Sequence, residues 1–326
     1  MKDFPLCVSH CALPEAGEDS YSFQALPEGF FACVTDGCGG LGSRRYPSCG
    51  NFTGAYVASR LAARFMAQEA AVLPFPSGKE EGEIFVRECS SAISRTFEEY
   101  LSRLESGNPS PKIVGTMQRP LPTTLAGAFL RQREEGLEVL FAWAGDSRGY
   151  VLDEDGLHQF TADHVRGNGA NEFVTLYQDR PLSRLFYAGG DNRPELRHTV
   201  LRKPGLVILA TDGAYSGLST PMEFEMLLLD CLVKALHGKS WKTKLTNRLG
   251  KMASDDATLI LLPWGFSSFE EMQETLLSRR ARLQKAYITP VRTRKKYDFA
   301  QTRWEEYRQG YDRTEAAGDG NEDWRL

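Results

Sequence analysis

Two apolar runs, FFACV (30–34) and GLVILA (205–210), lie far apart in the chain and end on the same tripeptide, Thr35-Asp36-Gly37 and Thr211-Asp212-Gly213. Short apolar runs that stop at a turn signal read as β-strands. A strand ending on Asp-Gly holds a carboxylate at a rigid sheet edge, and the glycine lets the backbone turn at once. Three more acidic positions stand at expected strand ends: Glu18-Asp19 before SYSFQAL, Asp146 in the turn AGDSRGY, and Asp255-Asp256 before ATLILLPW. One Asp-Gly is ordinary turn chemistry. Five acidic positions at strand ends are a set that a packed sheet can aim at one point. Carboxylates gathered without a cation repel and raise one another's pKa. Carboxylate and carbonyl oxygens are the hard ligands that Mg2+ and Mn2+ prefer, so convergence would call for divalent metal.

The surrounding pattern supplies the scaffold. SYSFQAL and FFACVT, joined by LPEG, form an expected hairpin. Two amphipathic helices follow, over 51–71 with Tyr56, Leu61, Phe65 and Met66 able to share a face, and over 82–105 with Ile84, Cys89, Ile93, Phe97 and Leu101 on the buried side. TTLAGAFL, LEVLFAWAG and GYVLDEDGLHQF read as strands, with Trp143 in the core and DEDG as a hairpin turn. Residues 163–197 are poorly periodic and read as a long excursion with short helices. One strand, one helix (222–237) and a last strand, DATLILLPW, complete a domain over 1–264. From Gly265 the composition changes. The extension, 265–326, reads as a helix with Phe269, Met272, Leu276 and Leu283 at one-face spacing, then a charged helix and a frayed tail.

Bulk properties narrow the function. A net charge of -4 disfavours a broad nucleic-acid surface. Seven scattered cysteines, several within apolar runs, suit reduced thiols in the cytoplasm. Cys7, His10 and Cys11 lack a second ligand pair at zinc-site spacing. The first residues show no signal-peptide core, and no apolar run is long enough to span a bilayer, so no membrane partner is expected. GCGGLG (37–42) follows an aspartate rather than opening directly from a strand, and strands do not alternate regularly with helices, which disfavours a dinucleotide fold.

Seven segments, in order, resemble the metal-dependent protein phosphatase (PPM) family, the type 2C serine/threonine phosphatases, and its bacterial members in particular. They are EDSY (18–21), VTDGCGG (34–40), TTLAGAF (123–129), WAGDSRGYVL (143–152), FTADH (160–164), LATDG (209–213) and SDDATLIL (254–261), spanning about 17–262. The resemblance implies an α+β fold: two packed antiparallel β-sheets flanked by helices on both outer faces, an αββα sandwich. It implies a catalytic set of Asp36, Asp212 and Asp255. Asp36 would bridge two metals, Gly37 would lend its carbonyl, and Asp212 and Asp255 would bind one metal. Asp19, or Glu18, would contact the other, and Asp146 would belong to a weaker third site. The implied cofactors are two Mg2+ or Mn2+ ions. The implied reaction is hydrolysis of phosphoserine or phosphothreonine in proteins by a metal-activated water, opposing a serine/threonine kinase.

Three positions depart from that family. The run HCALPEAGEDS has no arginine where relatives grip the substrate phosphate, and Arg44 and Arg45 are the candidate substitutes. Cys38 stands where relatives often carry His or Met, and reads as an inert thiol. Asp256 stands where many carry Asn, with little expected effect. The absent arginine keeps a second reading open, a signalling or scaffold module of the same fold with impaired catalysis. His164 is expected to orient a loop by hydrogen bonding. Arg166, Arg180 and Arg184 lie in the excursion, as shapers of substrate choice or as solvated charges. The C-terminal helix either packs on its own domain or serves a partner.

Overall fold

The structure, a computed structural model, describes residues 3–106, 119–166, 181–294, 296–314 and 323–326. Strands β1 (Leu6–His10), β2 (Asp19–Leu26) and β3 (Gly29–Asp36) lead to a two-residue hairpin, β4 (Arg45–Tyr46) and β5 (Phe52–Thr53). Helices α1 (Gly54–Ala70) and α2 (Lys79–Glu105) follow, then β6 (Leu125–Arg133), β7 (Gly136–Ala144), β8 (Arg148–Asp153), β9 (Leu157–Gln159), β10 (Glu195–Leu201) and β11 (Gly205–Ala210). The chain continues through α3 (Pro221–Val233), α4 (Gly238–Met252), β12 (Ala257–Trp264), α5 (Phe269–Leu283), α6 (Thr289–Arg294), α7 (Tyr297–Tyr311) and β13 (Trp324–Arg325).

One sheet runs β1-β12-β11-β8-β9 and the other β13-β10-β7-β6-β3-β2. Side-chain alternation builds three apolar layers from these two sheets. On β3, Phe31 and Cys33 face α1 and α2, while Ala32 and Val34 face the opposite sheet. On β11, Leu206 and Ile208 face α3 and α4, while Val207 and Leu209 point between the sheets. Both faces are covered, so these strands read as unbroken apolar runs rather than as half-polar alternation. Each such side chain contributes roughly 1.5–3 kcal/mol on burial. The result is the expected αββα sandwich.

Helix starts follow local chemistry. Thr53 caps α1 by accepting from the Tyr56 N–H at 3.1 Å. Thr220 caps α3 with Pro221 in its first turn, and Ser268 caps α5 by accepting from the Glu271 N–H at 3.1 Å.

Several details differ from the sequence reading. Two helices, α3 and α4, stand where one was expected, because α4 buries only a narrow stripe, Trp241, Leu245 and Leu249. β10 begins in the last three residues of the expected irregular excursion and runs past its end, and β1 forms before the first expected strand. Ile84 lies on the open side of α2 at 43% exposed, while Cys89, Ile93 and Phe97 are buried as expected. The last residues are not frayed: Trp324 and Arg325 pair with His198 and Arg197 of β10, and Trp324 is 6% exposed. The tail residues 315–322 lie outside the described residues.

The extension shares the domain's core. Phe269, Met272, Leu276, Leu283, Trp304, Tyr307 and Tyr311 pack with Tyr150, Leu206 and the α3 side chains. Arg279 of α5 grips the fully buried Glu225 of α3 with two hydrogen bonds, 2.6 and 2.9 Å, and Tyr307 Oη donates to the same carboxylate at 2.7 Å. No helix among the described residues is long and apolar enough to cross a membrane.

Candidate metal centre

The register of β2 against β3 places Asp19 directly opposite Asp36, at the end of one sheet. Opposed residues on antiparallel strands project to the same face. From the facing sheet, β11 ends at Ala210 and a 3-10 turn, Asp212–Ala214, begins. Thr211, between them, stitches the sheets. Its Oγ1 donates to Asp19 Oδ2 at 2.8 Å and accepts from the Thr258 N–H at 2.8 Å. Asp255 enters just before β12, two residues ahead of Ala257. The β7–β8 turn supplies Asp146, whose carbonyl accepts from Tyr215 Oη at 2.6 Å.

The backbone at Asp36 is clamped from one side by two threonines. Thr124 N–H and Thr123 Oγ1 each donate to the Asp36 carbonyl at 2.8 Å, and Asp36 N–H donates to Thr124 Oγ1 at 3.2 Å. The glycines after the two aspartates serve close approach. A Cβ on Gly37 would lie 2.3 Å from the Ala55 carbonyl oxygen, and one on Gly213 would lie 2.0 Å from the Asp256 carbonyl oxygen. Gly37 N–H donates to the Glu18 carbonyl at 3.2 Å.

The electrostatics share one sign. Burial, then the charges of Asp19, Asp212, Asp146 and Asp255, holds Asp36 well above the usual carboxylate range. Burial is also the main reason that Asp19 is pushed up to about 7, opposed by hydrogen bonds from Thr211 and Thr258 and reinforced by Asp212 and Asp256. Asp146 is pushed up to about 7 by burial, then by Asp212 and Asp163. Glu18 is raised by burial, an effect partly offset by Thr53 and reinforced by Asp256 and Asp255. Asp19, 8% exposed, leaves Oδ1 buried without a hydrogen-bond partner.

Among the described residues, no three His, Cys, Asp or Glu side chains are already drawn to metal-ligand spacing. The donor set still fits hard divalent cations: it offers only oxygens at its centre, several with raised proton affinity, and one buried oxygen is orphaned.

The expected site residues are placed as follows. Glu18, Asp19, Asp36, Asp146, Asp212 and Asp255 come within electrostatic reach of one another, around Gly37. Glu18 also accepts from Thr53 Oγ1, and its carboxylate fills the space above Gly39, where a Cβ would meet Oε2 at 2.2 Å. The two arginines separate. Arg44 is paired with Glu105 at 2.5 Å and lies over the Tyr46 ring at 5.0 Å. Arg45 is exposed, donates to the Asn51 carbonyl at 3.0 Å, and its charge reaches Glu18. Arg166 and Arg184 are exposed, and Arg180 lies outside the described residues. Burial and the charges of Asp36, Asp146 and Asp212 hold the Cys38 thiol well above its usual range, which makes it a poor nucleophile.

Two supporting roles were not expected. Asp256 accepts the Ala12 N–H at 2.8 Å and the Glu18 N–H at 2.5 Å, so it pins the loop that delivers Glu18 and Asp19. Tyr215 steadies Asp146 while its ring lies 4.1 Å under the Arg148 guanidinium, which grips Asp163 with two bonds, 2.8 and 2.6 Å. His164 orients a loop, as read from the sequence. Its Nδ1 accepts from the Gly145 N–H at 3.1 Å, and its Nε2 pairs with Glu195 at 2.7 Å. A cavity of about 730 Å³ lies elsewhere, lined by Arg87 and Ser90 of α2 and by Arg193 and Glu195. The carboxylates do not line it.

Comparison with known proteins gives a consistent answer. Several bacterial phosphatase structures share the fold. The serine/threonine phosphatase Stp1 of Staphylococcus aureus superposes with a TM-score of 0.58 at 18% identity, covering 81% of this chain and 95% of that one. A bacterial serine phosphatase gives 0.59 at 16% identity, covering 81% and 99%. The Mycobacterium tuberculosis serine/threonine phosphatase PstP/Ppp gives 0.55 at 20%, covering 80% and 98%. No curated protein matches the chain. The family model for protein phosphatase 2C matches residues 8–250, which run from within β1 to within α4 and include all of the clustered carboxylates except Asp255. With that span matched and the sandwich in place, the chain belongs to the protein phosphatase 2C family.

Proposed function

We propose that the clustered carboxylates hold two divalent cations, Mg2+ or Mn2+, and that the chain hydrolyses phosphoserine and phosphothreonine in proteins. The observation that carries this reading is the single-signed cluster itself: carboxylates from separate strand ends, raised in proton affinity, with Asp19 Oδ1 orphaned. Asp36 would be shared by both cations, Asp212 and Asp255 would hold one, and Asp19, Glu18 and the Gly37 carbonyl would serve the other. Asp146 would contribute to a weaker third site. Bound cations of this kind lower the pKa of water and offset charge on a phosphoryl group under attack.

The chain's own residues supply order. Thr211 holds Asp19, Thr123 and Thr124 hold Asp36, and Tyr215 and His164 hold the Asp146 turn. Arg45, rather than Arg44, would meet a substrate phosphate; the pairing of Arg44 with Glu105 and the reach of the Arg45 charge to Glu18 support that choice. The opposing reaction is that of a serine/threonine kinase. Seven free cysteines favour a reducing, cytoplasmic setting.

The test is hydrolysis of p-nitrophenyl phosphate and of a phosphothreonine peptide with Mn2+, with EDTA, and in Asp36→Asn. Turnover that requires Mn2+ and disappears in the variant is expected. Folded, Mn2+-saturated protein with no turnover on either substrate would leave the scaffold reading in its place.

A further inference from the structure

Helix α4 carries Lys239, Lys242, Lys244, Arg248 and Lys251 and no acidic residue, on a chain of net charge -4. Its apolar stripe, Trp241, Leu245 and Leu249, is buried, and the basic residues lie outside it, Lys244 half-buried and the other four exposed. Among the described residues none of these five enters an ion pair. The acids of neighbouring α3 are committed elsewhere: Glu225 to Arg279, Asp230 to Arg280 and Glu223 to Arg292.

Lys244, Arg248 and Lys251 fall at i, i+4 and i+7, which places them in one row along the helix. Lys234, just after α3, adds to that neighbourhood, since the Cys231 thiol, raised mainly by burial, feels Arg248, Lys234 and Lys244, along with Asp230, which is itself paired with Arg280. The row runs toward the C-terminal end of α4, where Ala253 and Ser254 lead directly to Asp255. The C-terminal end of α4 therefore lies at the sheet edge that follows Asp255, with Gly250 against His10, the register partner of Ala257.

Such a row answers a physical problem. A phosphorylated protein segment that also carries acidic residues gains long-range attraction from basic side chains outside the centre. A small phosphate ester needs no such help. We infer that the row Lys244-Arg248-Lys251 docks an acidic stretch of the protein substrate adjacent to its phosphorylated residue. This inference rests on the proposed phosphatase function. The chemistry favours an acidic polypeptide over other polyanions. Trp241, the one aromatic residue of the helix, is buried, so nucleic-acid bases find nothing to stack on. A single flanking apolar residue, Leu236 at 82% exposed, offers little area to a lipid surface.

The test compares two phosphothreonine peptides that differ only in four glutamates or four glutamines beside the phosphoresidue. Each is assayed with the full chain and with the triple variant Lys244→Glu/Arg248→Glu/Lys251→Glu, at about 20 mM and about 300 mM salt. Wild type is expected to prefer the acidic peptide about tenfold in kcat/KM, through KM, at low salt. High salt and the triple variant should erase the preference, with p-nitrophenyl phosphate turnover unchanged. Equal kcat/KM for the two peptides in wild type at low salt would overturn the inference. Fluorescence anisotropy with the unphosphorylated glutamate peptide reads docking without turnover. Binding lost in the triple variant supports the row even if the phosphatase reading fails on p-nitrophenyl phosphate. Variant-sensitive binding of phosphatidylglycerol vesicles or of RNA, with none of the acidic peptide, would overturn it.

Discussion

Glu225 and Asp36 are both carboxylates on the buried framework of one sandwich, yet one is saturated with donors and the other is surrounded by acids. Glu225 takes two bonds from Arg279 and one from Tyr307. Glu138, on β7, is served as fully: burial works against its charge, but hydrogen bonds from Arg131, His198 and Arg133 outweigh it and push it down to about 2. Asp36 is raised by burial first and then by the charges of Asp19, Asp212, Asp146 and Asp255. The fold thus gives Glu225 and Glu138 arginine partners in direct hydrogen bonds, whereas the largest charges on Asp36 are those of other acids. On the proposed reading, the first kind would serve stability and the second chemistry.

The largest effect that should sharpen this contrast is Asp212→Asn. Mn2+-dependent p-nitrophenyl phosphate turnover should fall by about 10²–10³-fold. The chelator-treated variant should melt no lower than wild type, because one repelling charge is gone. Glu225→Ala should do the reverse. Urea unfolding should show a loss of about 3–5 kcal/mol, since Arg279 is left buried without its partner, with activity per folded molecule retained. A variant at Glu225 that abolished turnover while folding normally would break the contrast.

The two groups should also give opposite slopes with pH. Glu138 is depressed in the folded state, so its contribution is present above its unfolded value of 4.5 and is lost as pH falls toward about 2. That loss is on the order of 3 kcal/mol, read as acid-induced unfolding. Asp19 is raised to about 7 in the metal-free fold, so the folded state holds the extra proton between its unfolded value of 3.8 and that point. Chelator-treated protein should therefore lose stability as pH rises from about 4 through about 7, and added Mn2+ should remove that slope. The smallest effect is Arg44→Ala, which gives up the half-exposed pair with Glu105 at a cost below about 1 kcal/mol and with turnover intact. A large loss of turnover there would return Arg44 to the substrate site.

Much of this was legible in the sequence for identifiable reasons. Asp36 and Asp212 announce themselves because each closes an apolar strand and precedes a glycine that the packing requires. What stayed hidden depends on distant partners. β10 carries Arg197, His198 and Thr199 inside a sheet, and His198 is acceptable there because Glu138 lies within 2.8 Å, a pairing across 60 positions of chain. α4 shows too few apolar residues for its periodicity to stand out. Asp256 looked like a neutral replacement for asparagine, but its two oxygens tie down Ala12 and Glu18, more than 230 residues earlier. Arg44 and Arg45 are neighbours whose difference comes from Glu105.

Thr211 spans the gap between the two β-layers with one hydroxyl, bonded to Asp19 on one side and to Thr258 on the other. The interval between the acids of the two sheets is thus tied to the thickness of the sandwich, whose middle layer sets the small residues Ala32, Ala126 and Ala128 among larger ones such as Phe141 and Trp143. Bulkier residues there would act as shims, prising the carboxylates apart from well outside the centre. If the cluster holds cations as proposed, preference among cations of different radius would then be adjustable through the packing of alanines that touch no carboxylate of the cluster.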